Sequence, residues 1–520
     1  LFKYFENFIG NIKLTIIAHE LPNFGGSASN AYAMFKYYQK YFDVTCIFID
    51  SNNYFHKIED KTAYLNKYSD IKIIYKNEDV NNKLLEYIQK TDVIVLRNPQ
   101  SPDIMDIDFN LLKLISKKII SIFGGGLRNI FSREIQKISP GNIKLDDYSK
   151  NFDKNAGVIA YKTELLKNDK IMKVIELSDH LSTNTYFYNN IFKKQFEKKY
   201  IGYYAFSSIN KFDFDICDYK NPVKWDKRNF DIIFLASSLT RTQKAVIFFL
   251  DLVKDLPYNV LIIGNKMIYN TPKNVTHIPF TNDVDKYLKK SKLLIMTSLF
   301  EASSNTLFEG VNAGCNILTS NLVSNDNTFK KECIVTNFID KNEWIHKIKY
   351  LLKNPINSLE NREHLINSVD NFTKEIENMN ISETGKIVLM VTFLEEDIKH
   401  SKTHNYLLAD SLIKLGYNVF FLTNIEKDVK YKDKYYYIHH THLTSNVLNN
   451  FSYIYFGLDN EKYLTSLIEN SNIFKNILNA KDNKSFKVIC NMSNYPETID
   501  KYYDSYNLFD RIILKSNKIN

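Results

Sequence analysis

The chain has 520 residues, too many for one hydrophobic core, and at about 100 to 200 residues per domain it divides into roughly three. Hydrophobic residues at 44% and charged residues at 24%, with only 15 Gly and 10 Pro, exclude a disordered or collagen-like chain. A net charge of +9 spread over 68 basic and 59 acidic side chains, with no basic run, excludes a nucleic-acid arm; the lysine surplus suits phosphate-bearing ligands or peripheral contact with an anionic membrane surface.

The first pattern is an apolar run, NIKLTIIAHE, then the glycine-bearing loop LPNFGGSASN, then AYAMFKYYQKYF at helical spacing, then the strand DVTCIFID. This βαβ unit predicts the start of a doubly wound parallel sheet. Further strands are expected at 91–97, at 117–123, where Gly124, Gly125 and Gly126 follow, and near 180 as the last of the set. The polar stretch CDYKNPVKWDKRNF then separates a new strand, DIIFLAS. A helix over 244–254, strands at 258–264 and 292–298, a helix over 305–314 and a strand over 316–320 come after it, so the second block reads as another Rossmann-like domain.

A third block opens at GKIVLMVTFLEEDIKHSKTHNYLLADSLIKLGYNVFFLTN and repeats the spacing of the first. Ile12 to Asn30 and Ile387 to Asn405 are both 18 positions, and SYIYFGL, FKVICNM and FDRIILKSN correspond to later strands of the first block. The domains are therefore expected at 11–215, 226–380 and 386–520. The third resembles the first half of a further two-domain unit, and its expected role is the start of a second transferase or a domain kept for acceptor binding.

Five cysteines, odd in number and scattered within apolar patterns, read as free thiols in a reducing, cytoplasmic compartment. There is no CxxC or histidine-rich cluster, so no metal is expected, and no segment reaches about 18 uncharged apolar residues. The chain begins at Leu1 with LFKYFENFIG, too short and polar for a signal peptide, which predicts a start within a longer protein.

The chemistry concentrates in SKLLIMTSLFEASSNTLFEGVNAGCNILTS. A buried strand runs to Ser298, a short loop carries Glu301, and Ser303, Ser304, Asn305 and Thr306 are N-cap residue types ahead of a helix that carries Glu309. Unpaired N–H groups and the helix dipole favour an anion at such a start. Carboxylates suit hydroxyls rather than phosphate, so the set predicts a ligand with a diphosphate between two polyols, a nucleotide diphosphate sugar.

This segment resembles the Glu-x7-Glu region of retaining GT-B glycosyltransferases, in particular glycosyltransferase family 4, and the resemblance extends over most of residues 11–376. It implies a GT-B fold, two Rossmann-like sheets facing a cleft, followed here by a third Rossmann-like domain. It implies that Glu301 touches the transferred sugar and Glu309 the ribose, that Lys244 and Arg241 neutralise the pyrophosphate, and that no metal or other cofactor is needed. The common glycine-arginine pair before Lys244 is replaced around Ser237 and Ser238. Gly25 and Gly26 match the family's glycine loop, which lets donor and acceptor approach the backbone.

Relatives often carry a histidine near the sugar at a first-domain strand end, but the comparable positions here read RNPQ and FGGGLRN. Arg97, Gly124 to Gly126 and Arg128 are therefore assigned to the acceptor side, and His19 and His180 are read as structural. The implied partners are a nucleotide sugar and a glycan, lipid-linked or protein acceptor. The competing reading is a non-catalytic module that holds a nucleotide sugar or glycan; a nicotinamide oxidoreductase is disfavoured because GGSAS spaces its glycines wrongly for GxGxxG.

Overall fold

A computed structural model describes residues 12–124, 168–204 and 223–379, apart from short stretches at 23, 89, 185, 282, 300, 302–303, 324–327 and 361. It also describes residue 144 and, further on, 387–391, 404–423, 435–458, 477, 480, 486–492 and 511–514. Within these residues the chain forms three parallel sheets.

The first sheet contains β1 (Lys13–His19), β2 (Asp43–Asp50), β3 (Lys72–Tyr75), β4 (Thr91–Arg97), β5 (Ser116–Phe123), β6 (His180–Thr183) and β7 (Tyr200–Tyr203), in the spatial order 3-2-1-4-5-6-7. β1 bonds in register to β2 on one side and β4 on the other, so the order reverses at its edge. A ligand crevice forms at the carboxyl ends of strands at such a reversal. Residues 14–18 of β1 are buried, as expected of a strand covered on both faces. The segment IMKVIELSDHLSTNT divides differently from the expected single strand: a helix over Asp169–Leu177, capped by the Asn168 side chain, precedes β6, and β7 rather than β6 forms the edge.

The second sheet holds β8 (Phe230–Ser238), β9 (Val260–Asn265), β10 (Val275–Ile278), β11 (Ser291–Met296), β12 (Asn316–Ser320) and β13 (Ile334–Val335), in the order 10-9-8-11-12-13. Its reversal lies between β8 and β11, so the loops after these two strands line the crevice. The helix expected over 244–254 begins later, at Val246, because residues 242–244 form a 3-10 turn and Ala245 is left-handed.

The third sheet repeats the first: β14 (Ile387–Val391), β15 (Asn418–Thr423), β16 (Tyr436–His439), β17 (Tyr453–Leu458), β18 (Lys487–Met492) and β19 (Arg511–Leu514) lie in the order 16-15-14-17-18-19. The architecture is α/β: a GT-B pair of doubly wound sheets with a third Rossmann-like domain. Apolar residues of the third sheet, among them Ile438, Phe420 and Ile454, join one continuous core with Leu112, Ile115 and Leu84 of the first domain. β16 lies against the Phe109–Ile115 helix, and the short Ser445–Leu448 helix lies against the Val80–Tyr87 helix. The third domain thus buries one apolar face on the outer helices of the first.

The Arg362–Asn378 helix returns from the second domain to the first. Val369, Phe372 and Ile376 are fully buried in the core around Tyr38, the Phe372 ring meets Tyr204 with centroids 5.0 Å apart, and the Tyr37 hydroxyl donates to Asp370 Oδ1 at 2.8 Å. This apolar strap ties the end of the second block to the first domain's core. Among the described residues, no helix is long and apolar enough to cross a membrane. Cys46, Cys315 and Cys333 are free and buried, and burial pushes the Cys333 thiol up to about 11.

Candidate active site

Three segments build the second domain's side of the cleft. After β8 the chain turns through Ser238 and Thr240, whose hydroxyls bond at 3.0 Å, and reaches Lys244 at the end of the 3-10 turn. Ala245 follows at φ 47° and ψ 48°, a left-handed position costly for a residue with a Cβ, on the order of 1 to 2 kcal/mol. The surroundings hold it there: Thr297 at the end of β11 donates its hydroxyl to the Lys244 carbonyl at 3.0 Å, and the Leu299 N–H donates to the Gln243 carbonyl at 2.8 Å. The turn carrying Lys244 is in this way fastened to the loop carrying Glu301.

The consequence is a direct ion pair between Lys244 Nζ and Glu301 Oε1. Their side chains are only 14% and 16% exposed, so the pair is largely withdrawn from water. Arg241, grouped with Lys244 by sequence, starts the same turn but is exposed.

The third segment is the Asn305–Asn312 helix. Its N-cap is Ser304, buried and extended, and the Ser304 side chain makes no capping bond. Ser304 therefore does not act as the expected side-chain cap, and the first-turn N–H groups are left to other partners. Gly310 seats the helix on the sheet: a Cβ there would overlap Leu294 of β11 and crowd Ile317 of β12. Leu307, Phe308 and Val311 fill the core beneath. Asn305 and Glu309 are one turn apart and share a helix face. Asn305 Nδ2 donates to the Gly26 carbonyl at 3.3 Å, so that face is turned to the first domain, and half-buried Glu309 lies on it one turn further in. Thr306 occupies the first turn, half-buried; Ser303 lies outside the described residues.

On the first domain's side, Gly25 caps the Gly26–Tyr38 helix. Glu20, left-handed at φ 62° just after β1, packs its carboxylate where a Gly25 Cβ would stand, so a larger residue there would displace the Glu20 side chain. The structure accordingly brings Lys244, Glu301, Asn305, Glu309, Gly25 and Gly26 to facing carboxyl edges of the two sheets.

The acceptor-side assignment needs correction. Arg97 is fully buried rather than lining an open wall: it ends β4 with its guanidinium near Tyr38, and burial lowers its pKa to about 10. A strand-end position whose side chain points into the layer between sheet and helix cannot be distinguished by spacing from its outward neighbour. Gly125, Gly126 and Arg128 lie outside the described residues; Gly124 is described, and the Asn184 side chain occupies the place of its Cβ. His180 opens β6, at the amino edge away from the cleft, and burial lowers its pKa. Sequence reasoning missed Thr297, Glu20 and Asn98. Asn98 carried a usable signal, an Asn-Pro pair directly after a strand. Among the described residues, no cluster of three or more His, Cys, Asp or Glu side chains could hold a metal ion.

Residues 219–372, which contain Lys244, Glu301 and Glu309, match the family described as Glycosyl transferases group 1. The match supports glycosyl transfer as the chemistry of this cleft. No curated protein matches the chain. Among solved structures, a glycosyltransferase from Rickettsia africae aligns at 15% identity over 71% of this chain and 95% of its own, with a TM-score of 0.44. A lipopolysaccharide outer core galactosyltransferase, WaaB, aligns at 14% identity over 70% of this chain and 100% of its own, at 0.39. Sucrose-phosphate synthase from Thermosynechococcus elongatus aligns at 10% identity over 72% and 100%, at 0.43. No residue role passes from these likenesses to this chain.

Proposed function

We propose that the first two domains form a retaining, metal-independent glycosyltransferase that moves a hexosyl group from a nucleotide diphosphate sugar to an acceptor hydroxyl. The observation that carries the reading is the Lys244–Glu301 pair held beside the start of a helix whose N-cap side chain makes no bond to it. A cation beside a helix amino terminus suits a diphosphate, and the carboxylate next to them suits sugar hydroxyls. Each partner of the pair thus has a role in the bound donor: Lys244 passes to the phosphate and Glu301 to the sugar. Glu309, one turn inside the helix, takes the ribose hydroxyls, and exposed Arg241 adds charge at the phosphate end.

In the transfer, the bond between the anomeric carbon and the β-phosphate oxygen breaks, and the acceptor oxygen bonds to that carbon on the same face. The acceptor proton goes to the departing phosphate oxygen. Lys244 and the first-turn N–H groups stabilise the charge that grows on the diphosphate. The acceptor is a glycan, lipid-linked or protein hydroxyl, reached from the cytoplasm and, for a lipid-linked acceptor, by peripheral contact with a membrane.

A panel of UDP-, GDP-, ADP- and dTDP-sugars screened by thermal shift tests the reading, since a ligand that binds the native state raises the midpoint by mass action. One nucleotide class should stabilise the chain, with or without EDTA, and NMR of the product should show the donor's anomeric configuration. Stabilisation by none of them refutes the proposal; an inverted product refutes retention.

A further inference from the structure

The stretch from Thr242 to Val253 does not take the form its own residues favour. Thr242 is an N-cap residue type, Gln243, Lys244 and Ala245 are good helix formers, and neither Gly nor Pro occurs from 241 to 256. One helix starting at Gln243 is the local preference. The chain instead makes a 3-10 turn over Thr242–Lys244, breaks at Ala245 and starts its helix at Val246. Ala245 is then the N-cap, a place alanine fills poorly because its side chain has no acceptor. It also takes φ 47° and ψ 48°, a conformation that glycine adopts freely and alanine does not.

One buried side chain opposes these preferences. Thr297, fully buried just after β11, donates its hydroxyl to the Lys244 carbonyl at 3.0 Å, with the Ala245 carbonyl 3.4 Å away. A carbonyl can only accept, so the direction of the bond is fixed. The Leu299 N–H reaches only as far as the Gln243 carbonyl, two residues before the strained one. Relaxation of Ala245 to the right-handed helical region turns its φ and ψ by roughly 90° to 110° and redirects the chain that carries Lys244. Conformations held against local preference persist where surrounding contacts enforce them, often at functional sites.

We propose that Thr297 is a positioning residue for Lys244. Its hydroxyl keeps Ala245 left-handed, prevents residues 242–253 from closing into one helix, and so holds the Lys244 ammonium against Glu301 at the cleft. The role in transfer rests on the glycosyltransferase reading, in which Lys244 passes from Glu301 to the diphosphate. The conformational role does not depend on that reading.

Acetylation of the full chain with acetic anhydride, read at each lysine by mass spectrometry, tests the positioning. Lys244 is 14% exposed in its pair with Glu301, and Lys113, 11% exposed in a pair with Asp179 of the first domain, reports general loosening. Thr297→Val should raise Lys244 acetylation by about fivefold, the scale of one hydrogen bond, with Lys113 unchanged. Thr297→Ser keeps the hydroxyl and should stay within about twofold of wild type. Adding Ala245→Gly to Thr297→Val should restore Lys244 protection, because glycine holds the left-handed turn without the threonine. Unchanged Lys244 acetylation in Thr297→Val, or no restoration in the double variant, overturns the proposal. If Thr297→Val loosens Lys113 as well, Ala245→Gly alone decides: it should raise the urea midpoint by lifting the strain, and a lower midpoint overturns the proposal. Thermal shifts with UDP, GDP and ADP test the link to the donor. Thr297→Val should weaken whichever of them stabilises the wild type, and the double variant should regain it. Absent shifts in the wild type strike the glycosyltransferase reading and leave the acetylation result to decide the role of Thr297.

Discussion

Replacing Glu301 by Gln should tighten the binding of a nucleoside diphosphate while it suppresses transfer. Lys244 is engaged by Glu301, and the two side chains retain only 14% and 16% exposure. A diphosphate must compete with that carboxylate for the ammonium and tolerate its charge nearby. For a carboxylate roughly 6 Å from the nearest phosphate charge, an effective dielectric of about 20 gives a repulsion of roughly 3 kcal/mol. The residual water contact of both side chains reduces this to about 1 to 2 kcal/mol, or a gain in affinity of roughly 5- to 30-fold. Lys244→Met should act in the opposite sense, weakening the diphosphate by about 1.5 to 3 kcal/mol through loss of a charge-assisted bond. Isothermal titration with the nucleoside diphosphate that gives the largest thermal shift measures both. Turnover of the matching nucleotide sugar should fall at least about 100-fold in Glu301→Gln, because contacts to the transferred sugar are lost. Equal or weaker diphosphate binding by Glu301→Gln would refute the idea that the pair divides between phosphate and sugar.

Glu309→Ala should weaken nucleoside diphosphate binding by about 1.5 to 3 kcal/mol, and removal of the ribose from the probe, by using inorganic pyrophosphate, should abolish the difference between wild type and variant. Gly310→Ala forces a methyl into Leu294 and Ile317 and should destabilise the second domain by about 1 to 3 kcal/mol, read as an earlier transition in chemical unfolding; an unchanged transition would show that the helix can lift off the sheet at little cost. Burial holds the His442 imidazole below its ordinary value near 6.5, against the opposing pull of Asp108 and Asp79, with His439 adding to the depression. The unfolded segment then binds more protons than the folded one just below pH 6.5, so stability rises with pH there and is lost as pH falls from about 7 toward 5.5. Burial also raises Asp108, whose contribution runs in the opposite sense, so the His442 variant is needed to isolate the imidazole. Amide exchange protection over residues 436–448 should therefore drop between pH 7 and 5.5, and His442→Gln should flatten the drop.

Much of the fold was legible because its signals are local. Buried parallel strands such as Leu14–Ala18 and Leu293–Met296 are continuous apolar runs, and the repeat of the first sheet in the third showed in spacing alone. Lys244, Glu301 and Glu309 were legible for a related reason: strand ends and helix starts put residues at the carboxyl edge of a parallel sheet whatever the rest of the chain does. The sequence by itself thus determined three doubly wound units and the acidic and basic residues of one crevice.

Tertiary structure decided which of those residues meet and which way each side chain points. The ion pair of Lys244 with Glu301 depends on Thr297 and Leu299 fastening two loops 57 residues apart, and no periodicity encodes such a contact. Arg97 turned inward and its neighbour Asn98 is left-handed, a reversal set by packing against Tyr38 and by the bonds to Ile122 and Ser27. The seating of the third sheet on the first domain's helices was equally hidden, because an apolar face announces only that it will be covered, and the covering surface is chosen by shape and burial in three dimensions.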